Sequence, residues 1–209
     1  KDSTSFNNHG TPSTFAFNNI NGYSAGLFYG FANSQSISIS DADSLDLVNN
    51  YTLEALVYPT TKHVVDEIIC KASNDTTGYQ LRGDNGTFNF YTGVGTAGNY
   101  PYNINTWYYL AGTFSGTSVK IYVNGSLYHT ATASTSGTPT NTQPFYIGRR
   151  WDGNYFDGSI SEIFVSSGTR SPNWISTMYY NLWDNLISYQ NQDLPINICS
   201  GVVWVDNYL

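Results

Sequence analysis

The chain has 209 residues, and its 8 Lys or Arg residues against 15 Asp or Glu residues give a formal net charge of −7. That charge has the wrong sign for holding a phosphate backbone, so nucleic acid is not an expected partner. No apolar run approaches the roughly 18 residues of a membrane-spanning helix, so membrane insertion is not expected. Only 11% of the residues are charged, a composition typical of secreted and cell-surface proteins.

Short β-type runs separated by turn signals follow one another along the chain, as in a two-sheet sandwich. Several runs alternate: Phe88 and Phe90 share one face of a strand, while Asn89 and Tyr91 share the other. Each such strand presents one face to a core. The predicted strands are Leu27–Phe31, Ser36–Ser40, Tyr51–Tyr58, Val64–Lys71, Gly78–Leu81, Thr87–Tyr91, Trp107–Phe114, Val119–Val123, Leu127–Thr130, Phe145–Gly148 and Ile160–Val165.

Turn chemistry predicts two hairpins and one helix. Asn85-Gly86 and Asn124-Gly125 each separate two strand-like runs, and such pairs favour the positive φ angles of a type I′ turn. Ser171-Pro172 combines a capping residue with a proline at the first helical position, so a helix is predicted from there toward Tyr180. We expect this helix to cap the edge of the sandwich.

Six segments carry a more specific signal, and in chain order they are Asp2–Pro12, Ser44–Leu47, Tyr51–Pro59, Thr106–Phe114, Val119–Gly125 and Phe156–Ile175. In this order they resemble the laminin-G-like, concanavalin A-like lectin domains of prokaryotic surface proteins. The resemblance covers about residues 2–181 and implies an all-β, two-sheet antiparallel jelly-roll sandwich with one short C-terminal helix. It also implies a non-catalytic extracellular module for carbohydrate binding or adhesion at the cell surface.

The chain departs from this family at both ends. Relatives usually carry one more strand before the Asp2 loop, and residues 184–209 have no counterpart, although Gly201–Tyr208 reads as a β-strand. We therefore expect a sandwich over residues 1–181 and an extension over 182–209 whose strand fills the open edge, in its own molecule or in a neighbour. The second case gives an alternative function: a structural subunit of an extracellular filament or surface layer, whose partners are copies of itself.

The acidic and histidine residues do not form a catalytic pattern. Glycosidases of this fold cluster their carboxylates about the scissile bond, whereas the glutamates here are scattered. The histidines also lack metal-ligand spacing, so no enzyme activity is expected. The residues concerned are Glu54, Glu67, Glu162, His9, His63 and His129.

Calcium is the cofactor that the family resemblance allows. It points to the N-terminal loop, where Asp2 and Asn8 would meet the last core strand near Ser161, because hard cations prefer oxygen ligands. Ser161 stands where relatives usually carry aspartate. The alternative is that Asp2 and Asn8 only cap their loop.

Glycan binding needs a flat aromatic face with amides and carboxylates beside it. Two segments predicted to be loops concentrate such groups, and a glycan or cell-surface polysaccharide is the partner they suggest. Aromatic loops also anchor protein–protein contacts, and this alternative stays open. The candidate residues are Tyr100 and Tyr102 in the first loop, and Arg149, Trp151, Asp152, Asn154 and Tyr155 in the second.

Two further features concern covalent chemistry. Cys70 and Cys199 either pair as a disulfide that pins the C-terminal tail or remain two buried thiols. Four sequons permit N-glycosylation if the chain passes through a secretory route that glycosylates proteins. For the last two, the need for asparagine in a hairpin turn already explains why the residue is there. The sequons begin at Asn50, Asn74, Asn85 and Asn124.

Overall fold

The computed structural model describes residues 3–13 and 16–182, and in them it forms two antiparallel sheets of seven strands each. The predicted all-β jelly-roll sandwich is confirmed. In sheet A the strand order is β1-β4-β13-β6-β7-β8-β9, and in sheet B it is β12-β11-β10-β5-β14-β3-β2. The strands are β1 Thr11–Pro12, β2 Ala16–Ile20, β3 Tyr23–Tyr29, β4 Ile37–Ile39, β5 Asn50–Pro59, β6 Val65–Asn74, β7 Thr77–Asp84, β8 Thr87–Tyr91, β9 Thr96–Pro101, β10 Tyr108–Ser115, β11 Ser118–Val123, β12 Ser126–Thr132, β13 Phe145–Ile147 and β14 Asp157–Ser166.

Helices are short and few in the described residues. A single turn, α1 (Gly30–Asn33), follows β3, so the strand predicted over Leu27–Phe31 ends early. The predicted C-terminal helix is confirmed as α2 (Pro172–Leu182), and the Trp174 N–H donates to the Ser171 hydroxyl at 3.2 Å, as an N-terminal cap requires. Neither α1 nor α2 is long and apolar enough to cross a membrane.

The main core lies between the sheets and is rich in aromatic rings. The Tyr51 ring on β5 lies 5.3 Å from that of Tyr79, 6.1 Å from that of Phe90 and 5.4 Å from that of Phe114. The alternating residues of each strand that face inward supply these rings, and all four are buried. Rings of this size dominate the energetics of a core, so this contact joins the two sheets firmly.

Helix α2 packs on the outer face of sheet B, and the expectation that it caps an edge is wrong. Ile175 is fully buried there among side chains that point away from the main core, including those of Leu56, Trp107 and Tyr109. Trp107 therefore belongs to this outer cluster and not to the main core. The helix settles on the face because the aromatic and aliphatic groups of β5 and β10 offer it an apolar surface.

Among the described residues, sheet B has an open edge beside β14. This strand pairs with β5 from Gly158 to Ser166, with a register shift between Ile160 and Ile163. On its other side it pairs with β3 only from Asp157 to Ile160. A groove of about 810 Å³ opens between the two sheets at this edge. The predicted strand Gly201–Tyr208 lies outside the described residues.

Candidate functional site

Residues 149–155 fold into a tight loop, here called the Trp151 loop. Arg149 and Tyr155 form a β-bridge, and the Arg150 N–H donates to the Asn154 carbonyl at 2.7 Å. Gly153 has a φ of 89° and donates its N–H to the Arg150 carbonyl at 3.2 Å. Positive φ suits glycine because it has no Cβ, so this position closes the loop without strain. The loop has a defined shape set by its own backbone.

The Trp151 loop lies across the outer face of sheet A. Its indole packs against a small buried cluster of Cys70, Ala72 and Tyr146. The strand neighbours of these residues, such as Ile69 and Phe145, face the main core. Since side chains alternate along a strand, the cluster and Trp151 lie on the opposite face of the sheet.

The β7–β8 hairpin supplies polar side chains to the same outer face. Its register places Gln80 opposite Tyr91 and Arg82 opposite Asn89. The Arg82 guanidinium carbon lies 3.9 Å from the centroid of the Tyr91 ring, and the Tyr91 hydroxyl donates to Asp84 at 2.8 Å. A guanidinium over an aromatic face is a favourable cation–π contact, so these side chains hold one another in place.

Asp75 ties the hairpin to the Trp151 loop. Its Oδ1 lies 2.9 Å from Nη1 of Arg82 and 3.8 Å from Nη1 of Arg150. Arg150 in turn donates from Nε to Asp152 at 2.8 Å and stacks its guanidinium 4.6 Å from the Trp151 ring. The Arg150 hydrogen bonds hold the pKa of the Asp152 carboxyl well below its usual range. We call the Trp151 loop, Asp75 and the outward side chains of the β7–β8 hairpin the outer-face site.

Glu67 on β6 lies beneath the outer-face site. It is fully buried, and neither carboxyl oxygen has a hydrogen-bond partner among the described residues. Burial raises the pKa of this carboxyl well above its usual value, against the pull of the nearby Arg82 and Arg150 charges. A buried charge without hydrogen bonds is costly, so burial favours the neutral form of this acid.

Of the two predicted aromatic segments, the structure places the residues of one in a single loop and separates the residues of the other. Arg149, Trp151, Asp152, Asn154 and Tyr155 share the Trp151 loop, and the Arg149 guanidinium lies 5.9 Å from the Tyr155 ring. These five residues therefore form one surface.

Tyr100 and Tyr102 do not belong to this surface. Tyr100 is part of strand β9 and not of a loop, and its ring contacts those of Tyr108 and Tyr128. Tyr102 is 1% exposed, stacks on Phe88 at 4.2 Å and donates its hydroxyl to Asp66 at 2.7 Å. Its proposed contact with a sugar is therefore wrong, because the ring is filling the core.

Sequence reasoning missed the part of the site that β7 and β8 supply. The alternation of apolar and polar residues predicts that Asn89 and Tyr91 share the polar face of their strand. The sequence does not show which part of the protein that face contacts. The Asn85-Gly86 turn fixes the hairpin register, so the position of Gln80, Arg82 and Asp84 on the same face as Asn89 and Tyr91 could be predicted. The contact between these side chains and the Trp151 loop depends on the order of strands in sheet A, which the sequence does not show.

The residues expected at a calcium site are engaged with other partners. The Asn8 amide donates to the Ser44 hydroxyl at 3.0 Å, and the Ser161 hydroxyl donates to the Ser24 carbonyl at 2.9 Å. Asp2 lies outside the described residues, within which no group of three His, Cys, Asp or Glu side chains could hold a metal ion. Calcium binding stays a prediction, and thermal melts with calcium and with chelator test it.

The cysteines and sequons also stay predictions. Cys70 is buried under Trp151, and burial raises the pKa of its thiol, while Cys199 lies outside the described residues. Three of the sequon residues are exposed and therefore accessible to a glycosylating enzyme. Asn124 is half-buried and accepts a hydrogen bond from the Tyr109 N–H at 3.0 Å. The exposed three are Asn50, Asn74 and Asn85.

The three glutamates lie in separate environments. Glu54 is buried on sheet B, where it accepts a hydrogen bond from the Tyr109 hydroxyl. Glu67 is buried on sheet A, and Glu162 lines the groove beside β14. The two buried glutamates thus lie on different sheets, whereas the acid and nucleophile of a glycoside hydrolase flank one ligand position.

A family model described as the concanavalin A-like lectin/glucanases superfamily, Laminin_G_3, matches residues 31–176. The chain belongs to this family. The resemblance read from the sequence is thereby confirmed. No curated protein sequence matches the chain.

Solved structures similar to this laminin G-like module include a domain of a carbohydrate-active enzyme and the binding domains of toxins. Domain 4 of AbnA, an extracellular GH43 arabinanase from Geobacillus stearothermophilus in complex with arabinotriose, has a TM-score of 0.60 at 18% identity, with 80% of this chain and 82% of that chain covered. The binding domain of Paraclostridial Mosquitocidal Protein 1 has a TM-score of 0.66 at 12% identity, covering 88% and 50%. The binding domain of botulinum neurotoxin DC in complex with SialylT has a TM-score of 0.61 at 12% identity, covering 85% and 48%. The module thus spans about half the length of the toxin domains, and at these identities the likeness concerns the fold.

Proposed function

We propose that this laminin G-like module is a non-catalytic carbohydrate-binding domain and that it holds a neutral glycan on the outer-face site. The observation that carries the proposal is the half-buried Trp151 indole, flanked by the side chains of Arg150, Asp152 and Asn154. A sugar offers C–H groups to a flat ring and hydroxyls to planar polar groups. Trp151 with its neighbours offers both kinds of contact on one surface.

The polar groups at the rim are accessible to a ligand. The side chain of Asp75 is 56% exposed and that of Asp152 is 37% exposed, and carboxylates accept hydrogen bonds from two hydroxyls at once. Deeper in the site, Arg82 and Gln80 are buried and bonded to each other at 2.7 Å. The rim would therefore bind hydroxyls, while the buried pair supports the surface.

The site is held in place before any ligand arrives. Asp152 accepts hydrogen bonds from Arg150 and from the Asn154 side chain, and Asp75 joins Arg150 to the hairpin. Side chains already fixed by such bonds lose little entropy on binding. This rigidity supports a binding role for the Trp151 loop.

The charge balance favours an uncharged glycan. The guanidinium groups of the site, those of Arg82, Arg149 and Arg150, are matched in number by its rim carboxylates, those of Asp75, Asp84 and Asp152. The whole chain carries a net charge of −7, which repels polyanions at long range. Hydroxyl groups, and not carboxylates or sulfates, are the expected ligand groups.

The comparisons support the ligand class and its location only by analogy. Arabinotriose is bound by the AbnA domain, which belongs to an extracellular enzyme. Together with the low charge content of the chain, this supports a place outside the cell and adhesion to surface polysaccharide. The scattered glutamates support a binding role without catalysis.

A glycan array and titration calorimetry test the proposal. The wild type is expected to bind neutral oligosaccharides, and Trp151→Ala to raise the dissociation constant about five- to thirtyfold, because stacking on an aromatic ring contributes about 1–2 kcal/mol. The matched control is Tyr180→Ala, which removes an exposed ring from α2 on the opposite side of the molecule. It should change the affinity less than about twofold.

Two results would contradict the proposal. One is a wild type that binds no neutral glycan, and the other is a Trp151→Ala variant that binds as well as the wild type. Because Trp151 also covers Cys70, Trp151→Phe serves as the second variant; it keeps a ring in place and should bind with intermediate affinity. Thermal melts of all variants verify that the sandwich remains folded.

A further inference from the structure

The groove beside β14 runs between the two sheets. Apolar side chains form most of its lining, and Glu162, Arg170 and residues of the N-terminal segment also contribute to its walls. Sheet B contributes Phe28, Ile160 and Ile163 to its walls, and sheet A contributes Ile37 and Ile147. Its volume of about 810 Å³ lies along the edge of the sandwich. If nothing covered it, such a groove would leave the rim of the main core in contact with water, which is unfavourable for apolar side chains.

The same place carries unpaired backbone groups. From Ile163 to Ser166, strand β14 pairs with β5 on one side, and no other described residue pairs with it on the other. Strand β3 leaves β14 after the pair of Ile160 with Gly26. An edge of this kind is a template for another strand, and proteins normally cover it.

We infer that Val202–Val205 of the same chain adds a strand to the free edge of β14 and closes the groove. These residues read Val-Val-Trp-Val, a continuous apolar run whose length equals that of the free edge. A strand with apolar side chains on both faces suits a position between a core and a second covering layer. Strand addition would satisfy the backbone of Ile163–Ser166, and the side chains would fill the groove.

The chain is long enough for this segment to dock on its own molecule. Helix α2 ends at Leu182, and residues 183–201 can span roughly 60 Å when extended. A domain of this size has a radius of gyration of about 16 Å, so every part of its surface is in reach. A linker of about this length gives an effective concentration on the millimolar scale, which favours the tail of the same molecule over that of a neighbour.

Hydrogen exchange on the full chain tests the inference with two proline variants. Consecutive N–H groups of a strand point to opposite sides, so either Val203→Pro or Trp204→Pro removes one that faces β14. In the wild type we expect a monomer by light scattering and slow exchange of those amides of Ile163–Ser166 that point away from β5. At least one proline variant should exchange there about tenfold faster or more, whereas Gln190→Pro, in the linker, should not.

Each other result overturns the inference. If Ile163–Ser166 exchange as fast in the wild type as in both proline variants, no strand docks there. If the wild type forms dimers or polymers that either proline variant dissociates, the strand binds a neighbour. That outcome supports the filament or surface-layer function instead.

Discussion

Two buried glutamates, one on the outer face of each sheet, show how neighbouring groups affect the pKa of a carboxyl. Glu54 accepts a hydrogen bond from Tyr109 and lies near the Arg170 charge, and burial still raises its pKa. Glu67 has no hydrogen bond among the described residues, and its pKa rises well above the usual value. Glu67 is therefore the residue whose protonation should control stability most visibly.

Glu67→Gln should make the stability of the protein less dependent on pH. The raised pKa means that the folded state holds a proton that the unfolded chain releases. Stability from this group is present below the pKa of an ordinary glutamate and is lost as pH rises toward the folded value, at up to about 1.4 kcal/mol per pH unit. Glutamine stays neutral, so the variant should melt above the wild type at pH 8, and the gap should shrink at pH 5.

The control for this comparison is Asp43→Asn, which removes one negative charge at an exposed position. It should shift the melting temperature little at either pH. A Glu67→Gln variant that is less stable than the wild type at pH 8 would mean that Glu67 is ionised and stabilised by Arg82 and Arg150.

At the scale of elements, two turns of the same type differ in what their asparagine does. Asn85 and Asn124 both have positive φ, 48° and 50°. The Asn124 side chain also accepts a hydrogen bond from the Tyr109 N–H, whereas the Asn85 side chain makes no such bond within the described residues. Substitutions at the two positions can therefore distinguish the free-energy cost of positive φ from the cost of losing a side-chain hydrogen bond.

Alanine at the two turns should have unequal effects. Asn85→Ala is expected to lower the free energy of unfolding by about 1 kcal/mol, since alanine resists positive φ. Asn124→Ala should cost about 1 kcal/mol more, because it also leaves the Tyr109 N–H without its acceptor. Urea denaturation measures both values, and equal losses would contradict a role for the Asn124 side chain.

Glycine at the same positions provides the matched control. Asn85→Gly should be nearly neutral, because glycine accepts positive φ. Asn124→Gly should retain only the loss of the hydrogen bond. A large loss in Asn85→Gly would show that the side chain of Asn85 has a role that its φ angle does not explain.

Strands with regular alternation were predictable, and strands without it were not. β8 was predicted with its bounds, since Phe88 and Phe90 alternate with polar residues. β9 was missed because Gly98, Asn99 and Pro101 are signals of a loop, and Asn99 has a φ of 72°. β2 was missed because its asparagines lie at an exposed sheet edge, where burial imposes no pattern. The two-residue strand β1 offers too few positions to show any period.

Only part of the candidate site could be predicted from the sequence, for a related reason. The Trp151 loop concentrates aromatic and polar residues within seven positions, so composition alone singled it out. Tyr91 and Arg82 reach the site from another part of the chain, through the order of strands in sheet A. The burial of Tyr102 follows from its stacking on Phe88, which the sequence does not specify.

At the scale of the whole molecule, a buried apolar cluster lies on each side of the central core. On sheet B the cluster is covered by α2, and on sheet A it is covered by the Trp151 loop. A helix and a loop have few contacts compared with a central strand. We therefore expect α2 or the Trp151 loop to unfold locally before the sandwich itself unfolds.

Alkylation of Cys70 should measure the opening of the Trp151 loop. In a Cys199→Ser variant only Cys70 can react, and it lies buried beneath Trp151. We expect iodoacetamide to modify it at least about a hundredfold more slowly than a free thiol, because the raised pKa and the cover both oppose reaction. Adding Trp151→Ala should accelerate the reaction at denaturant concentrations that leave the sheets folded.

Reaction of Cys70 at the rate of a free thiol would mean that the loop is open most of the time, which would weaken the case for a preformed outer-face site. Mass spectrometry of the wild type with and without reductant reports separately whether Cys70 and Cys199 are paired.

The pairing of β5 with β14 has a consequence for synthesis of the protein. Residues 50–59 of the chain find their partner at residues 157–166, and β4 similarly waits for β13. At a translation rate of roughly 5–20 residues per second, β5 leaves the ribosome about 5–20 s before β14 does. During that interval one flank of a strand that is later almost wholly buried stays open to other nascent chains. A chaperone that covers this stretch during synthesis would thus limit its pairing with other chains.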